Sequence, residues 1–249
     1  MIRFFFLSML VLPLKILSQD VNLLLREAQQ QESALKEVEA LQKYTQIVKL
    51  QPYHLQALCK CSELCSRIGN RQRSRSEKAD YFRAARTYAT AAIRVNSGSS
   101  EANFVMAMAL GRMALISSGK EKITVVNEIR EYAEKSIRLD PANFKPYHLM
   151  GKWNYEVCNL SLTERAVAKW FYGGVPSGSF EESIRYYEKS RSLNPGFALT
   201  YLELARVYHR NDQKTKAKGL LEAMLLLPNN TCDDPRIKEE GRTLLKDWK

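Results

Sequence analysis

A short triplet recurs along this chain at the ends of apolar-periodic segments, and it restricts the fold more than any other feature. It reads Leu50-Gln51-Pro52, Val95-Asn96-Ser97, Leu139-Asp140-Pro141 and Leu193-Asn194-Pro195, with a shortened form at Leu227-Pro228. Proline just past a helix end is physically sensible, since it has no N–H with which to continue the hydrogen-bonded ladder. Between the triplets the apolar residues fall at helical spacing. The third residues lie 45, 44 and 54 residues apart, and Pro195 to Pro228 is 33. A unit that recurs at such intervals and cannot bury its apolar face alone must stack on its neighbours.

Register tests this independently. With a first helix starting three residues after each anchor, at Leu55, Ser100, Phe144 and Ala198, the eighth position is Ser62, Ala107, Gly151 and Ala205. Small residues there let two helices approach closely. Five residues before Ser97, Pro141, Pro195 and Pro228 stand Ala92, Ser136, Ser190 and Ala223, again all small; Tyr88, Tyr132 and Tyr186 precede their anchors by nine. The last interval is close to the 34 residues of a tetratricopeptide repeat, the others being the same unit with insertions. The expected fold is therefore all-α, an α-α superhelix of tetratricopeptide-type helix pairs. The pairs are expected at 21–32 with 34–50, 54–69 with 77–95, 100–117 with 123–139, 144–159 with 180–193, and 197–210 with 214–227. A polar capping helix near 234–248 closes the stack.

The N-terminus reads as a signal peptide over residues 1–18, leaving 19–249 as the repeat domain. Arg3 supplies the positive start, Phe4 to Leu14 is apolar apart from Ser8 and Pro13, and Ser18 is a small residue at the cleavage position. The run is short of the roughly 20 apolar residues a membrane span needs. The chain is accordingly expected to be exported, to the periplasm or the cell exterior. Its net charge of +11 favours anionic partners, but the basic residues are spread over many helices without a nucleic-acid motif. Cys59, Cys61 and Cys65 do not have zinc spacing and read as core thiols, while Cys158 and Cys232 leave a bridge in an oxidising compartment open.

Two insertions stand out. Arg67 to Arg86 carries seven basic residues on a loop and the start of the next helix, read as solubilising surface with an anionic membrane as the alternative. Asn159 to Ser179 extends the fourth repeat. It contains a small helix opened by Ser161 and Glu164, then Trp170-Phe171-Tyr172-Gly173-Gly174, and a second capping box at Ser179 and Glu182. The order of motifs Leu139-Asp140-Pro141, Tyr147-His148-Leu149-Met150-Gly151-Lys152-Trp153, Glu156-Val157-Cys158-Asn159-Leu160-Ser161 and Leu193-Asn194-Pro195-Gly196-Phe197, with the long fourth repeat, resembles the regulator of microtubule dynamics family. The resemblance covers about three quarters of the chain. It implies a helical repeat domain associated with microtubules and membrane contacts, here as an exported bacterial relative.

No enzyme motif accompanies this pattern: His54, His148 and His209 lie far apart, and no His-Glu-x-x-His, P-loop or nucleophile elbow is present. No cofactor is expected. The candidate site is the concave groove lined by the first helix of each pair. Its fifth, ninth and twelfth positions bring Lys152 and Arg206 together with Tyr155, His148 and His209, and place Phe104 and Met108 nearby. Those cations fit a carboxylate or phosphate, Phe104 and Met108 an apolar portion; the alternative is that Lys152 and Arg206 pair with Glu156 and Glu203. The expected function is a non-catalytic scaffold that binds a protein segment or acidic ligand. The alternatives are a carrier of a lipid or other anionic amphipathic ligand, and a cytoskeletal adaptor. An open polar groove favours the scaffold, a closed apolar cavity behind Lys152 and Arg206 the carrier.

Overall fold

The computed structural model describes residues 12–117, 120–160, 169 and 177–248. Its helices are α1 (Leu12–Ser33), α2 (Glu37–Leu50), α3 (Leu55–Arg71), α4 (Arg75–Val95), α5 (Ser100–Ala114), α6 (Lys120–Leu139), α7 (Phe144–Cys158), α8 (Phe180–Leu193), α9 (Ala198–Arg210), α10 (Lys214–Leu226) and α11 (Asp234–Asp247). No strand occurs among the described residues. The fold is an all-α superhelix of antiparallel pairs, α1/α2, α3/α4, α5/α6, α7/α8 and α9/α10, with α11 packed on α9 and α10. The backbone of α1 starts at Leu12, inside the segment read as a leader; Met1 to Val11 lie outside the described residues. No described helix is long and apolar enough to cross a membrane.

The triplet works through its middle residue. Asn96 Oδ1 accepts from Gly98 N at 2.9 Å, Asp140 Oδ1 from Ala142 N at 2.9 Å, and Asn194 Oδ1 from Gly196 N at 3.1 Å. Each side chain folds the backbone into an Asx turn, so proline is optional and Ser97 can take its place. Two residues on, a second side chain caps the next helix: Ser99 Oγ accepts from Ala102 N at 3.2 Å and Asn143 Oδ1 from Lys145 N at 3.1 Å. His54 Nδ1 does the same for Ala57 N at 3.2 Å, and Ser179 Oγ for Glu182 N at 3.0 Å.

The small residues sit where the pairs close. Ser62, Ala107 and Ala205 are fully buried, and a Cβ added at Gly151 would lie 2.6 Å from the Tyr187 ring. The second helices bury a matching ladder: Ala40, Tyr44 and Ile47; Ala85, Ala89 and Ala92; Ile129, Ala133 and Ser136; Ser183, Tyr187 and Ser190. Hydroxyls on these ladders bond across the pair, Ser62 Oγ to Ala85 O at 2.9 Å and Ser183 Oγ to Gly151 O at 2.7 Å. Without long side chains in between, backbones meet closely enough for such bonds.

The last repeat corrects the register. Ala223 is exposed, and Ala217, Leu221 and Met224 form the buried ladder. Met224 therefore stands where Ala92, Ser136 and Ser190 stand, and the full triplet is Leu227-Pro228-Asn229 with proline in the middle. From Pro195 to Asn229 is 34 residues, the tetratricopeptide period itself. Taking the proline as the third residue displaced the ladder by one.

Candidate functional site: the inner face of the superhelix

Consecutive first helices touch one another, α3 with α5, α5 with α7 and α7 with α9, whereas among the described residues α2, α4, α6, α8 and α10 pack chiefly on first helices or on α11. The first helices thus form the inner wall and the second helices the outer one. The inner wall carries alternating charge. Lys60 on α3 lies 2.8 Å from Glu32 on α1, and Glu63 on α3 lies 2.9 Å from Lys145 on α7. Lys145 also reaches Glu101 on α5 at 2.9 Å. Further along, Lys152 meets Glu156 at 3.0 Å and Glu203 on α9 at 3.3 Å, Glu203 meets Arg206 at 3.0 Å, and Arg206 pairs with Glu240 on α11.

Burial alone would raise the Glu63 carboxyl, but Lys145 and Lys60 overcome it and hold Glu63 below the usual carboxylate range. Lys145 keeps its proton more tightly than a free lysine: burial opposes this, and Glu63 and Glu101 outweigh it. A partly desolvated ion pair of this kind needs both partners.

The seven residues expected to line the groove divide. Lys152, Arg206 and Tyr155 do come together: Lys152 and Arg206 share Glu203, and the Lys152 ammonium lies 5.6 Å from the centre of the Tyr155 ring. His148 is turned into the wall, its Nδ1 2.9 Å from Thr200 Oγ1 and its ring edge-on to Tyr187 and Phe197. Burial, with Lys152 and Arg112 adding to it, pushes its pKa down to about 3, so the ring is neutral at ordinary pH. His209 stacks on Trp248 at 3.9 Å and belongs to the contact with α11. Phe104 is 6% exposed beneath the Lys145 ammonium, and Met108 packs against the core.

Glu203 enters the sequence reading as a partner of Lys152 and Arg206, whereas Lys145, Glu101, Lys60 and Arg112 were missed because only positions five, nine and twelve of the first helices were read. These four occupy positions two, six and thirteen of the same helices, so the signal was present in the register. Cys59, Cys61 and Cys65 are buried, and burial pushes each thiol up to about 12, as core thiols. Cys158 and Cys232 are not bridged; Cys232 Sγ donates to Leu35 O at 2.8 Å instead. Trp170 to Gly174, Ser161 and Glu164 lie outside the described residues.

The Cys232–Leu35 contact is one strand of a closing seam. Arg71 on α3 bonds Glu37 on α2 and, at 3.2 Å, Asp233 at the start of α11. Leu35 adopts a left-handed backbone, φ 59°, which turns its carbonyl to the last repeat. A cavity of about 340 Å³ lies in the seam, lined among others by Glu32, Glu37, Lys60, Arg67 and Asn230.

Stacked helix pairs with close-packed small residues, a last interval of 34 residues and an inner wall of first helices define a tetratricopeptide-type helical repeat protein. Its fold is similar to a thermophilic TPR protein of Thermus thermophilus, with a TM-score of 0.65 at 12% identity, covering 90% of this chain and 99% of that one. The family described as Regulator of microtubule dynamics protein 1-3 matches residues 24–249, and the chain belongs to that family. Regulator of microtubule dynamics protein 1 of Mus musculus is 30% identical over 173 residues, 69% of this chain and 57% of the mouse protein. The Bos taurus protein of the same name is 29% identical over 174 residues, 70% of this chain and 55% of its own length. The chain thus matches little more than half the length of these relatives.

Proposed function

We propose that this protein is a non-catalytic scaffold that receives a polypeptide segment on the inner face of its superhelix. The carrying observation is the alternating ladder Glu32, Lys60, Glu63, Lys145, Glu101 and then Lys152, Glu203, Arg206, Glu240. An extended or helical peptide offers alternating donors, acceptors and charges that such a wall can match; an acyl chain does not. Beside Lys152 lie the Glu203 carboxylate and the close Gly151–Tyr187 contact, which supports the scaffold over the carrier. The histidines, the commonest acid–base groups, have structural roles: His54 caps α3, His148 bonds Thr200 inside the wall and His209 stacks on Trp248. Export through the N-terminal segment is part of the same reading, resting on Arg3 and the apolar run after it.

A photo-cross-linking residue placed at Tyr155, on the inner wall, is expected to capture a polypeptide in the native host, and one at Arg94, on the outer wall, to capture none. Mass spectrometry of the adducts decides it. A lipid-sized adduct at Tyr155, or polypeptide capture confined to Arg94, would overturn the scaffold reading.

A further inference from the structure

Among the inner-face cations one stands apart. Arg112, in the last turn of α5, donates from Nη1 to Asn70 Oδ1 at 3.1 Å, and its Nε is shielded from solvent without a hydrogen-bond partner. Among the described residues no carboxylate lies within ion-pair distance of it. A guanidinium cannot shed its proton to escape this, as a lysine or histidine can. The negative end of the α5 dipole offsets part of the cost and supplies no hydrogen bond. The acidic group acting most strongly on Arg112 is Asp233, with Glu203 weaker, while Arg236 opposes them.

Asp233 is already shared. Its Oδ2 accepts from Arg71, Arg236 lies 3.7 Å from Oδ1, and Oδ1 itself is buried without a hydrogen-bond partner. Three arginines from α3, α5 and α11 therefore gather at the seam around one carboxylate. Arg71 has Glu37 and Arg236 has Glu240 at 3.9 Å as second partners. Arg112 has none.

We propose that Arg112 is an unfilled carboxylate-binding position on the inner face, and that the segment received there is acidic, placing an Asp or Glu side chain against the Arg112 guanidinium. The chain itself shows what these cations accept: α11 lays Asp233 and Glu240, seven residues apart on one face, against Arg71 and Arg206. A partner helix or strand carrying carboxylates continues that pattern at Arg112, which α11 leaves without a carboxylate among the described residues. Carboxylate geometry suits the fork of Arg112, whose Nε has no hydrogen-bond partner among the described residues. The inference rests on the scaffold reading and specifies the partner's charge.

The test uses fluorescein-labelled hexaglutamate as probe, with hexalysine and inorganic phosphate alongside, on the full chain. Hexaglutamate is expected to bind the unaltered protein, to raise its Tm, and to lose about tenfold or more in affinity with Arg112→Met but not with Arg94→Met. Arg112→Met itself is expected to melt at the same temperature as the unaltered protein or higher, because the change removes a charge with no counter-ion; a purely structural arginine would lower it. Equal hexaglutamate affinity in Arg112→Met, a lowered Tm for that variant, or no hexaglutamate binding at all would overturn the proposal. Stabilisation by phosphate and not by hexaglutamate would overturn it too, making the site one for a free oxyanion. None of these outcomes bears on cross-linking at Tyr155, so the scaffold reading stands or falls separately.

Discussion

His148 shows how one side chain can be misassigned from register alone. Position five of a first helix faces inward, and a histidine there beside Lys152 suggests a ligand contact. In the fold the imidazole instead bonds Thr200 and wedges between Tyr187 and Phe197. Its pKa, pushed down to about 3 by burial, makes it a liability in acid. Between about 6.5 and about 3 the unfolded chain holds a proton on this ring that the folded chain does not. Stability is therefore complete above the unfolded value and falls as pH drops through that window, by up to about 2 kcal/mol between pH 7 and pH 5. Urea midpoints of the unaltered protein and His148→Gln at those two pH values check this; the variant is expected to show the shallower dependence. The pairing of Lys152 and Arg206 with Glu156 and Glu203 was one of the two readings the sequence left open, whereas that of Lys145 with Glu63 and Glu101 was not read. Lys145 lies on a helix distant in sequence from Glu63, and only the superhelix brings them within bonding reach.

At the scale of the helix, the sequence was informative where packing is tight. Ser62, Ala107, Gly151 and Ala205 recur because paired backbones approach there, and a side chain larger than a hydroxymethyl has no room. Gly151→Ala tests the limit. The new methyl would meet the Tyr187 ring at 2.6 to 2.8 Å, and overpacking of this kind costs about 1–3 kcal/mol. Helix propensity returns about 1 kcal/mol, so thermal melting is expected to show a net loss. The helix ends were legible for a different reason from the one the prolines suggested. Asn96, Asp140 and Asn194 turn the chain by side-chain acceptance, and proline only accompanies them. That is why Pro228, standing in the middle place, displaced the reading of α10 by one residue while leaving the helix itself correctly placed.

For the molecule as a whole, periodicity disclosed the stack and said nothing of how its ends meet. Leu35 with Cys232 and Arg71 with Asp233 are separated by most of the chain, and no local pattern encodes them. Arg71→Met is expected to weaken the seam while leaving each helix pair intact. Amide hydrogen exchange should then speed up together in α1–α2 and in α11, with α5 to α7 unchanged; acceleration on one side alone would count against the seam as a link. In most repeat arrays each unit senses only its neighbours, so unfolding can begin at either free end and spread inward. Here the two ends restrain each other. Fraying at one terminus must first release the other, so a linear array acquires the all-or-none cooperativity of a closed loop.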